Sequence, residues 1–356
     1  MDTLQFLLYR VAFTGLPFGE LQGIINRVEA GEPWKDSCKL AARRLRCLAE
    51  SAETTGRLMT AAQAWRWTAC AYHAATFAFH LNPDTNGRVP QILKLRRMAR
   101  IAYLKALNAD SFVARQVEIP VGSGTIQGYL RAPGVARAPV VVLLNGLDSL
   151  CEVEMHSFGS WLLSRNLAVL SLDLPASFAA RPREPRYKVE EIAPAIADWL
   201  AQQPMFADSA FGAFGVSFGG HLVARLLAGD PRFTVGVAVS PAAWMGPREL
   251  ESKRVRLMFA CAFNLHEETD IDLLASGIQL NQLPPPTGQL LVFQMEQDHL
   301  FGPEHVEAFL EWGKGAVEVR SLSAEHVGTS QFHRWLPEAC DWLSQHLFGQ
   351  KGEHSC

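Results

Sequence analysis

The chain has no C-x-x-C pair, and its seven cysteines (Cys38, Cys47, Cys70, Cys151, Cys261, Cys340, Cys356) stand far apart. An odd, scattered set argues against a disulfide framework and against zinc, and predicts free thiols in a reducing compartment. Charge of one sign is also scarce: 33 Lys and Arg against 36 Asp and Glu leave a net charge of −3. No basic cluster is dense enough to line up phosphates, so nucleic acid is not an expected partner. No apolar run reaches the roughly 18 residues that cross a bilayer, and no membrane association is expected. The first residues lack a basic segment followed by a long apolar one, so no secretory leader is expected and the chain reads as cytoplasmic. What is present is ordinary for a globular protein: 48% hydrophobic and 19% charged residues over 356 positions. That length suits one large α/β domain with an accessory unit of about 100 residues.

Residues 1–112 read as helical. Leu40–Ala49, Ala61–Phe79 and Leu93–Leu107 are rich in Ala, Leu and aromatics at helical spacing, with turn residues at Asn82–Pro90 between the last two. No convincing period of about 34 residues marks a repeat array, so a helical accessory domain packed on the core is the preferred reading over a separate binding module. From Ser111 onward the pattern changes. Arg115–Val121 and Thr125–Pro133 flank Gly122-Ser-Gly and predict a hairpin. Continuous apolar runs follow at Pro139–Leu144, Leu167–Leu172, Phe211–Phe214, Val235–Val239, Gln289–Phe293 and Val317–Arg320. Helical patterns alternate with most of them, which predicts a mostly parallel central sheet with helices on both faces in a catalytic domain over 113–350. The helix-prone insertion at about 241–286 is expected to be a small cap.

Phe211-Gly-Ala-Phe-Gly-Val-Ser217-Phe-Gly-Gly220 supplies the chemistry. A strand pattern runs into Gly215-Val-Ser217-Phe-Gly219 and a helical pattern begins at once, the context of a nucleophile elbow. The glycines flank a sharp turn where side chains would collide, and the helix aims its positive end at developing negative charge.

A serine needs a base, and the base needs an orienting acid. Asp298 follows the Gln289–Phe293 strand and His326 follows the Val317–Arg320 strand, both at the carboxyl edge where such sheets gather their sites. Glu296 rivals Asp298; His299, His305 and His333 rival His326. Backbone N–H groups of Phe218 and Leu147 are expected to form an oxyanion hole, with Gly146 allowing the Asn145–Asp148 loop to turn. Glu249 and Trp244 at the start of the cap, His156 with Glu154, and Asp148 are weaker candidates for substrate contact. For each the plainer alternative is a packed or solvated side chain, and Phe259, Phe263 and His221 read more simply as core or helix residues.

With these residues placed, the chain resembles the α/β-hydrolases grouped with FrsA-like esterases. It looks similar to the branch that includes 2,6-dihydroxypseudooxynicotine hydrolase and the fungal pigment polyketide-shortening hydrolases. Asn145-Gly-Leu-Asp-Ser149 with Glu152, Gly215-Val-Ser-Phe-Gly-Gly220, Asp298 and His326 carry the resemblance. It implies an α/β-hydrolase fold with an N-terminal helical domain, no metal or organic cofactor, and cleavage of esters or of carbon–carbon bonds in aryl ketones and β-dicarbonyl compounds. Two departures concern the pocket entrance. Asp173-Leu-Pro-Ala-Ser-Phe-Ala-Ala replaces a glycine-rich turn, and Leu150-Cys151 stands where a lysine is usual, which leaves the substrate open.

The function expected is a serine hydrolase for a small-molecule, aryl or polyketide-like substrate. Acyl transfer or elimination at the same residues is the alternative within enzyme chemistry, and a non-catalytic binding protein is the alternative outside it. A homodimer through the helical domain is the one macromolecular partnership left open.

Overall fold

The structure is a computed structural model that describes residues 3–81, 88–107, 113–122, 124–135, 137–174, 187–206, 209–265 and 267–349. The turn tract 82–87, Ser123 of the hairpin turn, the segment 175–186 after Asp173 and Cys356 lie outside the described residues, and so do the expectations placed on them.

Six helices come first: α1 (Thr3–Phe13), α2 (Phe18–Glu29), α3 (Trp34–Thr54), α4 (Leu58–Thr76), α5 (Ala78–Leu81) and α6 (Arg88–Leu107). Alanine decides how they pack. Ala41, Ala42, Ala49 and Ala52 of α3 and Ala61, Ala64, Ala71 and Ala75 of α4 are buried, so the helices can approach closely. α4 is apolar nearly all round and is accordingly buried on most of its surface. Trp34 Nε1 donates to the Ala74 carbonyl at 2.7 Å and pins α3 to the end of α4.

Eight strands form one sheet: β1 (Val113–Val121), β2 (Gly124–Ala132), β3 (Val140–Leu144), β4 (Ala168–Leu172), β5 (Phe211–Val216), β6 (Phe233–Val239), β7 (Gln289–Met295) and β8 (Val317–Leu322). Their order is β1-β2-β4-β3-β5-β6-β7-β8, with β1–β2 and β2–β4 antiparallel and the other neighbours parallel. Between them run α7 (Glu154–Leu163), α8 (Val189–Ala201), α9 (Phe218–Gly229), α10 (Lys253–Phe263), α11 (Glu268–Ser276) and α12 (Pro303–Gly313), and α13 (Phe332–Gly349) follows β8.

The fully apolar strands have both faces covered. Val140, Val142 and Leu144 of β3 join the core shared with α8, α9 and α12, whereas Val141 and Leu143 join the one under α7 and α13. On that second side Phe214, Phe158 and Phe332 surround Trp335, whose indole is wholly buried. Among the described residues no helix is long and apolar enough to cross a membrane.

Candidate active site

β5 ends at Val216, and the chain turns through Ser217 at φ 55°, ψ −127° before α9 begins. That is a conformation L-residues seldom adopt, held here because its surroundings over-determine it. Ser217 N donates to the Val239 carbonyl at 2.8 Å, and the Ser217 carbonyl accepts from Gly220 N at 2.9 Å. A Cβ on Gly215 would strike the Gly219 carbonyl, and one on Gly219 would strike the Leu144 carbonyl at the end of β3. The two glycines let α9 start directly beneath the turn and beside the neighbouring strand.

His326 follows β8 and Asp298 follows β7. His326 Nε2 lies 2.9 Å from Ser217 Oγ, and His326 Nδ1 lies 2.7 Å from Asp298 Oδ2. An ionised Asp298 only accepts, so Nδ1 carries a proton toward it and Nε2 is left to accept from the serine. Asp298 Oδ1 also accepts from the N–H groups of Leu300 (2.8 Å) and Phe301 (3.1 Å). Burial works against its charge, but His326 and these amides more than offset it and hold the carboxyl below its usual pKa.

The histidine turn has its own anchors. Val327, β-branched, sits at φ 67°, a strained position. Its N–H donates to Ser240 Oγ at 2.9 Å, and Ser240 follows β6 with φ 46°. Glu325 accepts from Thr329 Oγ1 (2.6 Å), Ser330 N (2.9 Å) and Ser330 Oγ (2.7 Å), and Trp335 Nε1 donates to the Gly328 carbonyl at 3.0 Å. Glu325 and Ser240 therefore fix the ring of His326 without touching it.

The loop after β3 lies against the elbow. A Cβ on Gly146 would come within 3.2 Å of the Val216 carbonyl and 3.3 Å of Ser217 Cβ. The φ of Gly146 is not positive, and what glycine serves there is close approach to the elbow. Asn145 Nδ2 donates to the Gly146 carbonyl at 3.0 Å, and Arg96 Nη2, from α6, donates to the Leu147 carbonyl at 3.2 Å. Phe218 opens α9, so its N–H has no partner within the helix.

One cavity gathers Ser217, His326, Leu147 and Asp148. Its walls are mainly apolar and include Phe158, Phe301 and Phe332. Phe6, Arg10 and Phe13 close it from α1, at spacings of four and three that put them on one helix face. Arg254, Val255 and Met258 of α10 close it from the inserted segment. Arg10 Nη1 donates to Asp148 at 2.6 Å and Nη2 to Glu154 at 2.7 Å, with its guanidinium 4.5 Å from the Phe77 ring. Glu154 also accepts from His73 Nε2 at 2.7 Å and from Leu150 N at 3.0 Å. Burial opposes the Glu154 charge, yet His73 and Arg10 bring its pKa down to about 2.

Three sequence candidates for substrate contact lie elsewhere. His156 is buried, with Nδ1 2.8 Å from Tyr103 Oη. Trp244 stacks on His305 at 4.1 Å, and the buried Glu249 accepts from Gly246 N at 2.8 Å and faces His305 Nε2 at 3.6 Å. None of the three lines the cavity, because their polar atoms are turned into the packing between strand ends and helices. Asp148 does line it, with its carboxylate engaged by Arg10. Sequence reasoning missed Arg10, Arg96, Ser240 and Arg254. The only signal for the first is an arginine inside an otherwise apolar stretch, Leu7-Leu-Tyr-Arg10-Val-Ala-Phe13. Among the described residues no group of three or more His, Cys, Asp or Glu side chains could hold a metal ion.

Residues 45–242, more than half the chain and including the elbow, match the model of the family described as Esterase FrsA-like. The chain belongs to that family. Within it, this α/β-hydrolase is 29% identical over 265 residues to Esterase FrsA of Vibrio cholerae, covering 74% of this chain and 52% of the relative. It is also 29% identical over 242 residues to Hydrolase LUC6 of a Fusarium species, covering 64% of this chain and 56% of that protein. The chain thus spans about half the length of the curated relatives it matches. The crystal structure of 2,6-dihydroxy-pseudo-oxynicotine hydrolase superposes with a TM-score of 0.84 over 96% of both chains at 19% identity, and AbyA5 with 0.60 over 86% and 84% at 16%. At those identities the likeness is one of fold.

The buried charges of this FrsA-like chain give its stability a definite pH dependence. His221 Nδ1 donates to the Ala242 carbonyl at 2.9 Å, while Arg225 Nε donates to His221 Nε2 at 2.7 Å. The ring is therefore neutral, and burial with Arg225 beside it pulls its pKa from 6.5 to about 3. The unfolded chain binds this proton more readily, so stability falls as pH drops below 6.5 toward 3. Glu154, with its folded pKa depressed, adds loss of the same sign as pH falls from 4.5 toward 2. Urea midpoints measured at pH 7.5, 5.5 and 4.5 should decline in that order, and His221→Gln should flatten the first step.

Proposed function

We propose that the chain is a serine hydrolase in which Ser217 attacks a substrate carbonyl, His326 is the general base and acid, and Asp298 orients His326. The observation that carries this reading is the unbroken relay from Asp298 through His326 to Ser217, at 2.7 and 2.9 Å, on a strained turn facing a cavity.

In the cycle, Ser217 Oγ bonds to the carbonyl carbon as its proton passes to His326 Nε2. The oxyanion accepts from the N–H groups of Leu147 and Phe218. Collapse breaks the bond to the leaving group, which takes the proton from His326, and water then releases the acyl group by the reverse proton path. For an ester the leaving group is an alkoxide. For a ketone or β-dicarbonyl compound of aryl or polyketide type it is an enolate, and a carbon–carbon bond is cleaved by the same steps. The family supports the ester, and the resemblance to hydrolases of 2,6-dihydroxypseudooxynicotine type supports the carbon–carbon bond.

Incubation with an ester series and with an aryl β-diketone in H₂¹⁸O tests the reading. Acid carrying one ¹⁸O, with free alcohol or ketone, is the expected product pattern. Acyl transfer without label, or an unsaturated product, would overturn hydrolysis.

Arg96 is a positioning residue in this reading, because it holds the Leu147 carbonyl and so aims the following loop. Arg96→Met is expected to lower kcat by roughly 10–100-fold with little change in KM, short of the loss caused by deleting an oxyanion donor. A rise in KM alone, with kcat kept, would remove that role.

A further inference from the structure

We propose that Arg254 receives a carboxylate carried by the substrate, so that the preferred substrate is an anionic acyl compound with its charge held away from the scissile carbonyl. The inference rests on the cavity being the hydrolase site described above.

Among the described residues two guanidinium groups reach this cavity, and they differ in one respect. Arg10 has both terminal nitrogens committed, to Asp148 and to Glu154. Arg254 makes no hydrogen bond and no ion pair with any described residue, although it is half-buried and lines the same cavity as Ser217 and His326. A guanidinium withdrawn from water without a partner is costly. Burial, reinforced by Arg10 and countered by Asp148, in fact pulls its pKa below the usual value.

Helix stability does not account for the residue. Arg254 stands in the first turn of α10 beside Lys253, with no acidic residue in that turn, and a cation at a helix N-terminus opposes the macrodipole. Packing does not account for it either. Val255 and Met258 of the same helix already supply apolar wall, as do Phe6 and Phe13 of α1. What the arrangement suits is a ligand with an apolar body and one planar anionic group, which the arginine fork can hold by two parallel hydrogen bonds. Such a contact forms equally in ground and transition states, so it appears in KM and in discrimination between substrates.

The test compares 4-nitrophenyl butyrate with 4-nitrophenyl hydrogen succinate, esters of equal acyl length that differ in a terminal carboxylate. Wild-type protein should favour the succinate in kcat/KM. Arg254→Met should reduce the succinate-to-butyrate ratio by at least about tenfold, chiefly through KM, and Arg254→Lys should restore part of it. Titration calorimetry of the Ser217→Ala variant with 4-phenylbutyrate and its amide reads the same preference without turnover: the carboxylate should bind more tightly, and Arg254→Met in that background should abolish the difference. An unchanged ratio in Arg254→Met, or no carboxylate preference in wild type, would overturn the proposal. Turnover retained by Ser217→Ala, with the ratio still lost in Arg254→Met, would instead remove the nucleophile and leave the anion site standing.

Discussion

Ser217→Ala and His326→Ala are each expected to lower kcat by at least about 10³, and the double variant should be only slightly slower than either. The reason is geometric. Ser217 Oγ has His326 Nε2 at 2.9 Å as its hydrogen-bond partner among the described residues, and neither group does the chemistry alone. Asp298→Asn should follow the same direction, because an amide can present its N–H to Nδ1 and shift the imidazole toward the wrong tautomer. Steady-state kinetics on an ester substrate, with circular dichroism to establish folding, give the comparison. Strict additivity of the two losses would contradict a single relay, and unchanged turnover in both single variants would remove it altogether.

Glu154→Ala should cost stability on the order of 3–5 kcal/mol, the loss that follows when one partner of a buried ionic group is deleted. Its carboxylate serves Arg10, His73 and Leu150 N at once. Removing it strands one arm of a buried guanidinium, a histidine N–H and a backbone N–H, each with a desolvation cost. It also unties the Leu150 end of the loop that lies against Ser217, so activity should fall with stability. In Glu154→Leu combined with Arg10→Met the loss should be clearly smaller than the sum of the two single losses, since the Arg10–Glu154 pair is then removed whole and neither of its charges is left facing an empty partner. Urea unfolding of wild type, Glu154→Ala, the two single variants of the cycle and the double variant settles it; a loss below about 1 kcal/mol for Glu154→Ala would show that the network is not held as described.

The hydrolase sheet was largely legible from sequence because strands apolar on both faces announce a parallel sheet, and the strand–turn–helix context of Ser217 is itself a sequence pattern. Asp298 and His326 were legible for the same reason: each follows a recognisable strand. Gly146 was read as letting its loop turn, and its close approach to Val216 and Ser217 is a tertiary contact that no local pattern announces. Trp244, Glu249 and His156 were picked for position along the chain, which does not say which way a side chain faces. Arg10 and Arg254 were missed for the opposite reason. One lies more than 200 residues before Ser217 and the other in an inserted helix, and no local periodicity links either to the elbow. Helix α1, read as part of an accessory unit, supplies one wall of the cavity.

The central claim is that Ser217 is the nucleophile activated by His326. Intact-protein mass spectrometry after brief exposure to a fluorophosphonate measures it most directly, with peptide mapping to locate the adduct. A single adduct on Ser217 is predicted for the wild-type protein, none for Ser217→Ala, and labelling slowed by at least about 10²-fold for His326→Ala. No adduct on the wild-type protein, or an adduct on another residue with Ser217→Ala labelled equally fast, would contradict it.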